Sequence, residues 1–237
     1  MIILALDTTT RAGSAAVLRD GAVAAEHIGD AEVTHGERLP ADLTRVLDAA
    51  AARIEDVDLF AVAAGPGSFT GLRVGIATVQ GLAMARGRRV VPVSVLEALA
   101  RAATGSGVPV AAWMDAQRGE VFAELYAADG RTVTRPARAV PAAVLLEEGF
   151  AEGLEEGFDA AGRVPVFIGD GAVRYREQIA ARYGGAARIL HPPPLAGIIG
   201  QIAAEAPDRA VRPHALVPIY VRRPDAELAR ARREGGG

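Results

Sequence analysis

The run Gly65-Pro66-Gly67-Ser68-Phe69-Thr70-Gly71-Leu72-Arg73-Val74-Gly75 holds the strongest hint of chemistry in this chain. It joins a short apolar run, residues 59–64, to a segment in which Leu72, Ile76, Val79 and Ala83 recur at helical spacing. A loop that opens a helix offers free N–H groups and the positive end of the helix dipole, so it could cradle an anion. Leu72 stands where a Walker loop needs lysine, so this is not that nucleotide motif. The glycines also have a purely structural use: they turn the chain and let the helix pack closely. On the residues alone both readings stay open.

Other chemistry-bearing groups read more plainly. Asp7 ends the apolar run 2–6 and is followed by Thr8, Thr9 and Thr10, a sequence in which the carboxylate closes an Asx or ST turn. Ser68 is outside a G-x-S-x-G elbow and has no histidine tied to it by motif, which leaves a hydrolase without residues. His27, His35, His191 and His214 show no metal-ligand spacing, and His35 falls at an expected helix start. Asp115 and Glu120 flank an expected tight turn, where polar residues are the rule, and no catalysis is assigned to them.

Composition removes several classes of function. All 26 basic residues are arginine, so lysine nucleophiles and Schiff bases are excluded. The absence of cysteine excludes disulfides, thiolate catalysis and thiolate-bound metal. A formal charge of −3 supplies no global basic field, which argues against a nucleic acid being held by this chain alone. At 237 residues and 50% hydrophobic, the chain can bury a large core. An apolar run at the start without a basic n-region, and no apolar stretch long enough to span a bilayer, lead us to expect a cytoplasmic protein away from membranes.

The elements that must position these groups follow one plan twice. The run 2–6 ends in Asp7, a hairpin signal falls at Asp20-Gly21, and a strand-glycine-helix junction comes at Gly65. The run 110–114 ends in Asp115, the hairpin signal falls at Asp129-Gly130, and the junction comes at Gly169-Asp170-Gly171. This near-constant spacing suggests a duplication. We expect hairpin strands over 14–18 and 22–27, then 121–126 and 132–134, an amphipathic helix over 37–53 and a strand over 89–93. Ser94 and Glu97 have the spacing of a capping box. The chain should divide near 105 into subdomains 1–105 and 106–224, each β-β-β-α-β-α, with a frayed tail at 225–237.

The glycine-rich run, with Ala77 and Gln80-Gly81-Leu82-Ala83 behind it, resembles the signature of the TsaB family, the non-catalytic partner in bacterial threonylcarbamoyladenosine synthesis. The residues 3–10, His35-Gly36-Glu37-Arg38-Leu39-Pro40, Pro92-Val93-Ser94, Asp115 to Val121 and Pro218-Ile219-Tyr220-Val221-Arg222 are similar to that family in order and spacing. The resemblance implies an α/β protein of the actin-like ATPase (ribonuclease H-like) fold. It implies a pseudo-enzyme that binds a TsaD-like catalytic subunit, with a TsaE-like ATPase in the assembled complex, and meets tRNA only through that complex. In actin-like ATPases a carboxylate ending the first strand, beside a hydroxyl-rich turn, helps place a magnesium-bound nucleotide. Asp7, Thr8 and Thr9 take that place here, as a residual site for ATP or ADP within the complex, with no cofactor tightly bound. A small-metabolite kinase using ATP and magnesium is the alternative. The catalytic TsaD relatives carry two metal-binding histidines four apart, where this chain has Val95 and Leu99.

The helices at 37–53 and 71–85 carry more apolar and small positions than one buried face needs. We therefore expect a partner interface at Leu39, Leu43, Gly71, Leu72, Gly75, Ile76 and Val79, able also to form a homodimer when the partner is missing.

Overall fold

The computed structural model describes residues 1–148 and 164–222; the expected tail at 225–237 lies outside them. Five strands form the first sheet: β1 (Ile2–Asp7), β2 (Ser14–Arg19), β3 (Ala22–Ile28), β4 (Leu59–Gly65) and β5 (Arg89–Ser94). The second contains β6 (Val110–Asp115), β7 (Glu120–Tyr126), β8 (Val133–Pro141), β9 (Val166–Ile168) and β10 (Arg188–Leu190). Their orders, β3-β2-β1-β4-β5 and β8-β7-β6-β9-β10, are the same. In each, two antiparallel hairpin pairings give way to two parallel ones. The duplication read from turn spacing is a duplication of topology.

The helices are α1 (His35–Ala49), α2 (Phe69–Arg86), α3 (Val95–Ala102), α4 (Ala142–Glu148), α5 (Asp170–Arg174), α6 (Arg176–Tyr183) and α7 (Ala196–Glu205). Each half therefore runs past β-β-β-α-β-α by one more strand and helix, β5–α3 and β10–α7. These last helices form the middle layer. Period-two alternation divides each central strand between two cores. Ile3 and Ala5 of β1, and Ala61 and Ala63 of β4, face α3 and α7, where they share a core with Val110, Ala112 and Met114 of β6. Leu4, Leu6, Phe60 and Val62 point the other way, onto α1 and α2. Ala111 and Trp113 do the same in the second sheet, packing with Leu145, Phe167 and Ile179. This two-faced burial is why β1, β4 and β6 are nearly continuous apolar runs. The result is the α/β architecture of the actin-like ATPases. Among the described residues no helix is long and apolar enough to cross a membrane.

Three local expectations change. The first helix starts at His35 rather than 37, because the Thr34 backbone N–H and hydroxyl both donate to the Glu37 carboxylate (3.2 and 2.6 Å) and close a capping box there. It ends at Ala49, short of 53, in a turn where Ala51 takes a positive φ of 47°. The expected box at Ser94 is only half made: Ser94 accepts from Glu97 N–H, but the Glu97 carboxylate is held by the Arg209 guanidinium at 2.8 and 3.0 Å. The third strand of the second half runs from Val133 to Pro141, beyond the expected 132–134; as an edge strand it tolerates Pro136.

Candidate functional site

The glycine-rich junction and the turn after β1 are one structure. The Thr8 hydroxyl donates to the Gly71 carbonyl at 2.7 Å, and the Ser68 N–H donates to the Thr9 carbonyl at 3.0 Å. Ser68 Oγ accepts from Gly71 N–H at 3.3 Å and so caps α2. The glycines are demanded by contact with this turn. A Cβ on Gly71 would stand 2.0 Å from the Thr8 carbonyl oxygen, and one on Gly75 2.1 Å from Thr8 Oγ1. The α2 backbone thus rests directly on Thr8 over its first two turns.

Asp7, Thr8 and Thr9 are all buried, Asp7 being 3% exposed. The Asp7 Oδ1 accepts from the Thr9 N–H at 2.8 Å and the Thr9 hydroxyl at 2.6 Å. Burial pushes the Asp7 carboxyl above its ordinary pKa, and the bonds from Thr9 oppose that rise. The first turn of α1 closes the turn from its other side. His35 Nε2 lies 2.9 Å from the Thr10 carbonyl, which can only accept, so Nε2 carries the proton and Nδ1 accepts from Arg38 at 2.8 Å. Burial lowers the His35 pKa, in keeping with this neutral ring. Arg38 also donates to the Ala12 carbonyl and to Asp42, a buried pair that His27 joins at 3.0 Å. The residues expected to face a nucleotide are brought together, with Asp7 Oδ1 and the Thr8 and Thr9 hydroxyls bonded inside the protein.

The second half repeats the device. Asp115 Oδ1 accepts from Gln117 N–H at 3.0 Å, as Asp7 does from Thr9, and its other oxygen takes Arg174 at 3.0 Å. Asp170 accepts from Asp115 N–H and Gly171 N–H; burial, with the nearby Asp115 charge, pushes its pKa above the ordinary value, and those two bonds oppose the rise. Glu120, across the turn, pairs with Arg222 at 2.6 Å. Both carboxylates hold the chain in place. Val95 and Leu99 are wholly buried in the middle layer, and among the described residues no group of three or more His, Asp or Glu is arranged to hold a metal.

The expected interface residues divide. Leu39 and Leu43 line a groove of about 520 Å³ between α1 and α2. Ile76 and Val79 belong to the core against β1 and β4, Gly71 and Gly75 lie on Thr8, and Leu72 is buried beside Gly65. The groove wall on the α2 side is instead Val74, Thr78 and Leu82, with Pro40 and Leu47 opposite. The α2 sequence is apolar on both faces, so period alone did not say which stripe meets the sheet. The spacing of four along Val74, Thr78 and Leu82 was the available signal.

The family model described as TsaD, tRNA N6-adenosine threonylcarbamoyltransferase, matches residues 29–227. The chain is 37% identical over 131 residues to the tRNA threonylcarbamoyladenosine biosynthesis protein TsaB of Escherichia coli, a match covering 54% of this chain and 56% of that protein. For the TsaB of Haemophilus influenzae the figures are 39% over 125 residues, and 52% of each. The chain thus spans about half the length of the curated relatives it matches. Among solved structures, YeaZ from Pseudomonas aeruginosa superposes with a TM-score of 0.75 at 31% identity, over 92% of this chain and 99% of that one. With its glycine-rich junction, its doubled actin-like topology and these matches, the chain belongs to the TsaD family, as one of its TsaB-like members.

Proposed function

We propose that the chain is the non-catalytic partner of a TsaD-like subunit and enables that subunit to threonylcarbamoylate the adenosine beside the anticodon of tRNA. One observation carries the reading: Thr8, in the turn where an actin-like ATPase would place phosphate, is pinned under Gly71 and Gly75 with its hydroxyl bonded to the Gly71 carbonyl. A phosphate there would have to displace a buried hydroxyl and break its bond to the Gly71 carbonyl. This packing favours the partner role over the kinase alternative.

The groove between α1 and α2 is the surface offered to the partner. Its lining is largely apolar, with Leu39 and Leu43 as floor and Leu47, Val74, Thr78 and Leu82 as walls. Apolar surface of this kind on a folded chain is stabilised when another helix pair covers it. A second copy of the chain would cover it in the partner's absence. The complex, with a TsaE-like ATPase, would then bring in ATP or ADP and tRNA, in the cytoplasm, and this chain would hold no cofactor tightly.

Reconstitution tests the reading. Unmodified tRNA, threonylcarbamoyl-adenylate and the TsaD-like subunit from the same cell are incubated with and without this chain, and the modified nucleoside is quantified by mass spectrometry. Modification that needs both proteins supports the role. Modification by this chain alone, or full modification without it, overturns it.

A further inference from the structure

Gly67, Gly71 and Gly75 are accounted for by packing on Thr8 and Thr9, Gly65 by the close approach of the Ile219 carbonyl, and Ser68 by capping, but Phe69 and Arg73 are not. Phe69, the first residue of α2, is 44% exposed. The Arg73 guanidinium lies over its ring, 3.8 Å from the centroid. Tyr220, 45% exposed, stands 6.3 Å away, ring centre to ring centre, with a 36° tilt. It arrives on a strap from the far end of the described chain. Ile219 N–H donates to the Ala64 carbonyl at 2.7 Å, Gln80 donates to the carbonyls of Pro213 and Leu216, and Arg222 pairs with Glu120. The two segments that meet here, 69–73 and 218–222, both belong to the runs that resemble the family.

We propose that Phe69, Arg73 and Tyr220 form a stacking platform for an unpaired base of RNA, and that Arg11 and Arg73 meet its phosphates. Among the described residues most arginines bond carboxylates or carbonyls; Arg11 and Arg73, like Arg89, Arg176, Arg188 and Arg212, have no carboxylate partner there. Arg11 is exposed on the β1–β2 turn, and Thr9, two residues before it, accepts from the N–H of Ser68, next to Phe69. Arg73 therefore lies on one of two exposed rings, and Arg11 is carried on the turn that is bonded to the residue before Phe69. A guanidinium and a phenol both stack on bases, whose π-faces are the same for any sequence, while the cations answer the backbone charge. The net charge of −3 sets the role of this patch: it contributes a contact to an RNA held by the assembly and gives the isolated chain only weak affinity. The inference rests on the tRNA-modification reading, since that reading supplies the RNA.

The test uses the full chain and a fluorescein-labelled anticodon stem–loop RNA, with binding followed by anisotropy at low salt. Wild type should bind in the range of about 10⁻⁴ to 10⁻⁶ M and weaken as salt rises. Phe69→Ala and Tyr220→Ala, on separate segments and both at exposed positions, should each weaken binding about tenfold, with circular dichroism unchanged. Arg73→Gln should weaken binding and flatten the salt dependence. The same variants are assayed for capture of the TsaD-like subunit, which should be retained. No binding of the RNA, equal binding by the aromatic variants, or full displacement by ATP of a variant-insensitive signal overturns the platform. Loss of subunit capture with RNA binding unchanged also overturns it, and makes the patch a protein-docking surface. A wild-type chain that captures the subunit but binds no RNA removes the platform alone and leaves the proposed function standing.

Discussion

Gly75 lies directly against Thr8: a side chain at residue 75 would begin 2.1 Å from the Thr8 hydroxyl oxygen, inside any real contact distance. One helix glycine and one turn threonine, far apart in sequence, thus fix both how closely α2 approaches the first sheet and what fills the turn after β1. Gly71 repeats the contact one turn earlier, against the Thr8 carbonyl.

Gly75→Ala should therefore lower stability by about 1–3 kcal/mol through overpacking, although alanine is the better helix former. Gly81→Ala in the same helix is the control. A Cβ at Gly81 meets nothing within 4 Å, so this variant should gain about 0.5–1 kcal/mol from helix propensity. Urea midpoints of the two variants should move in opposite directions; movement in the same direction contradicts the contact.

How much of this was legible is clearest residue by residue. Asp7 and Asp115, the two hairpin signals and the two glycine junctions announce the duplication, because turn chemistry is local and a strand buried on both faces reads as an apolar run. The roles of Gly71 and Gly75 were not legible, since what a glycine makes room for depends on a residue some sixty positions away in the chain. The same is true of Glu97, whose sequence neighbours predict a cap while Arg209 takes its carboxylate. On α2, apolar residues on both faces left the groove stripe and the sheet stripe indistinguishable until the sheet was in place.

Asp7→Asn separates a structural turn from a nucleotide site. Asparagine keeps the oxygen that accepts from Thr9, so modification by the reconstituted system should stay within a few fold of wild type. The pH dependence has a definite sign. A carboxyl whose folded pKa is raised costs stability as pH climbs from the unfolded value of 3.8 through the folded one. The variant should thus fare better relative to wild type at pH 7 than at pH 4, as read from urea midpoints at both. A hundredfold loss of activity at unchanged folding would place Asp7 in a nucleotide site instead.

Arg38 and Asp42 form a buried ion pair that clamps the β1–β2 turn through the Ala12 carbonyl. Arg38→Ala leaves the Asp42 carboxylate buried with only His27 and the more distant Arg45, and should cost about 3–5 kcal/mol. Chemical denaturation reads this directly, and a loss under about 1 kcal/mol would show that the pair is not closed to water.

Thr78 offers the most direct measurement of the central claim. It sits on the groove wall, half-buried, with its hydroxyl turned back to the Val74 carbonyl at 2.8 Å, so arginine there adds bulk and charge to the groove rather than to the core. Affinity for the TsaD-like subunit is measured by calorimetry for wild type and Thr78→Arg, with circular dichroism to confirm folding. The account predicts a loss of about a hundredfold or more, the scale of a central interface residue. A folded Thr78→Arg protein that binds the subunit as tightly as wild type would contradict it.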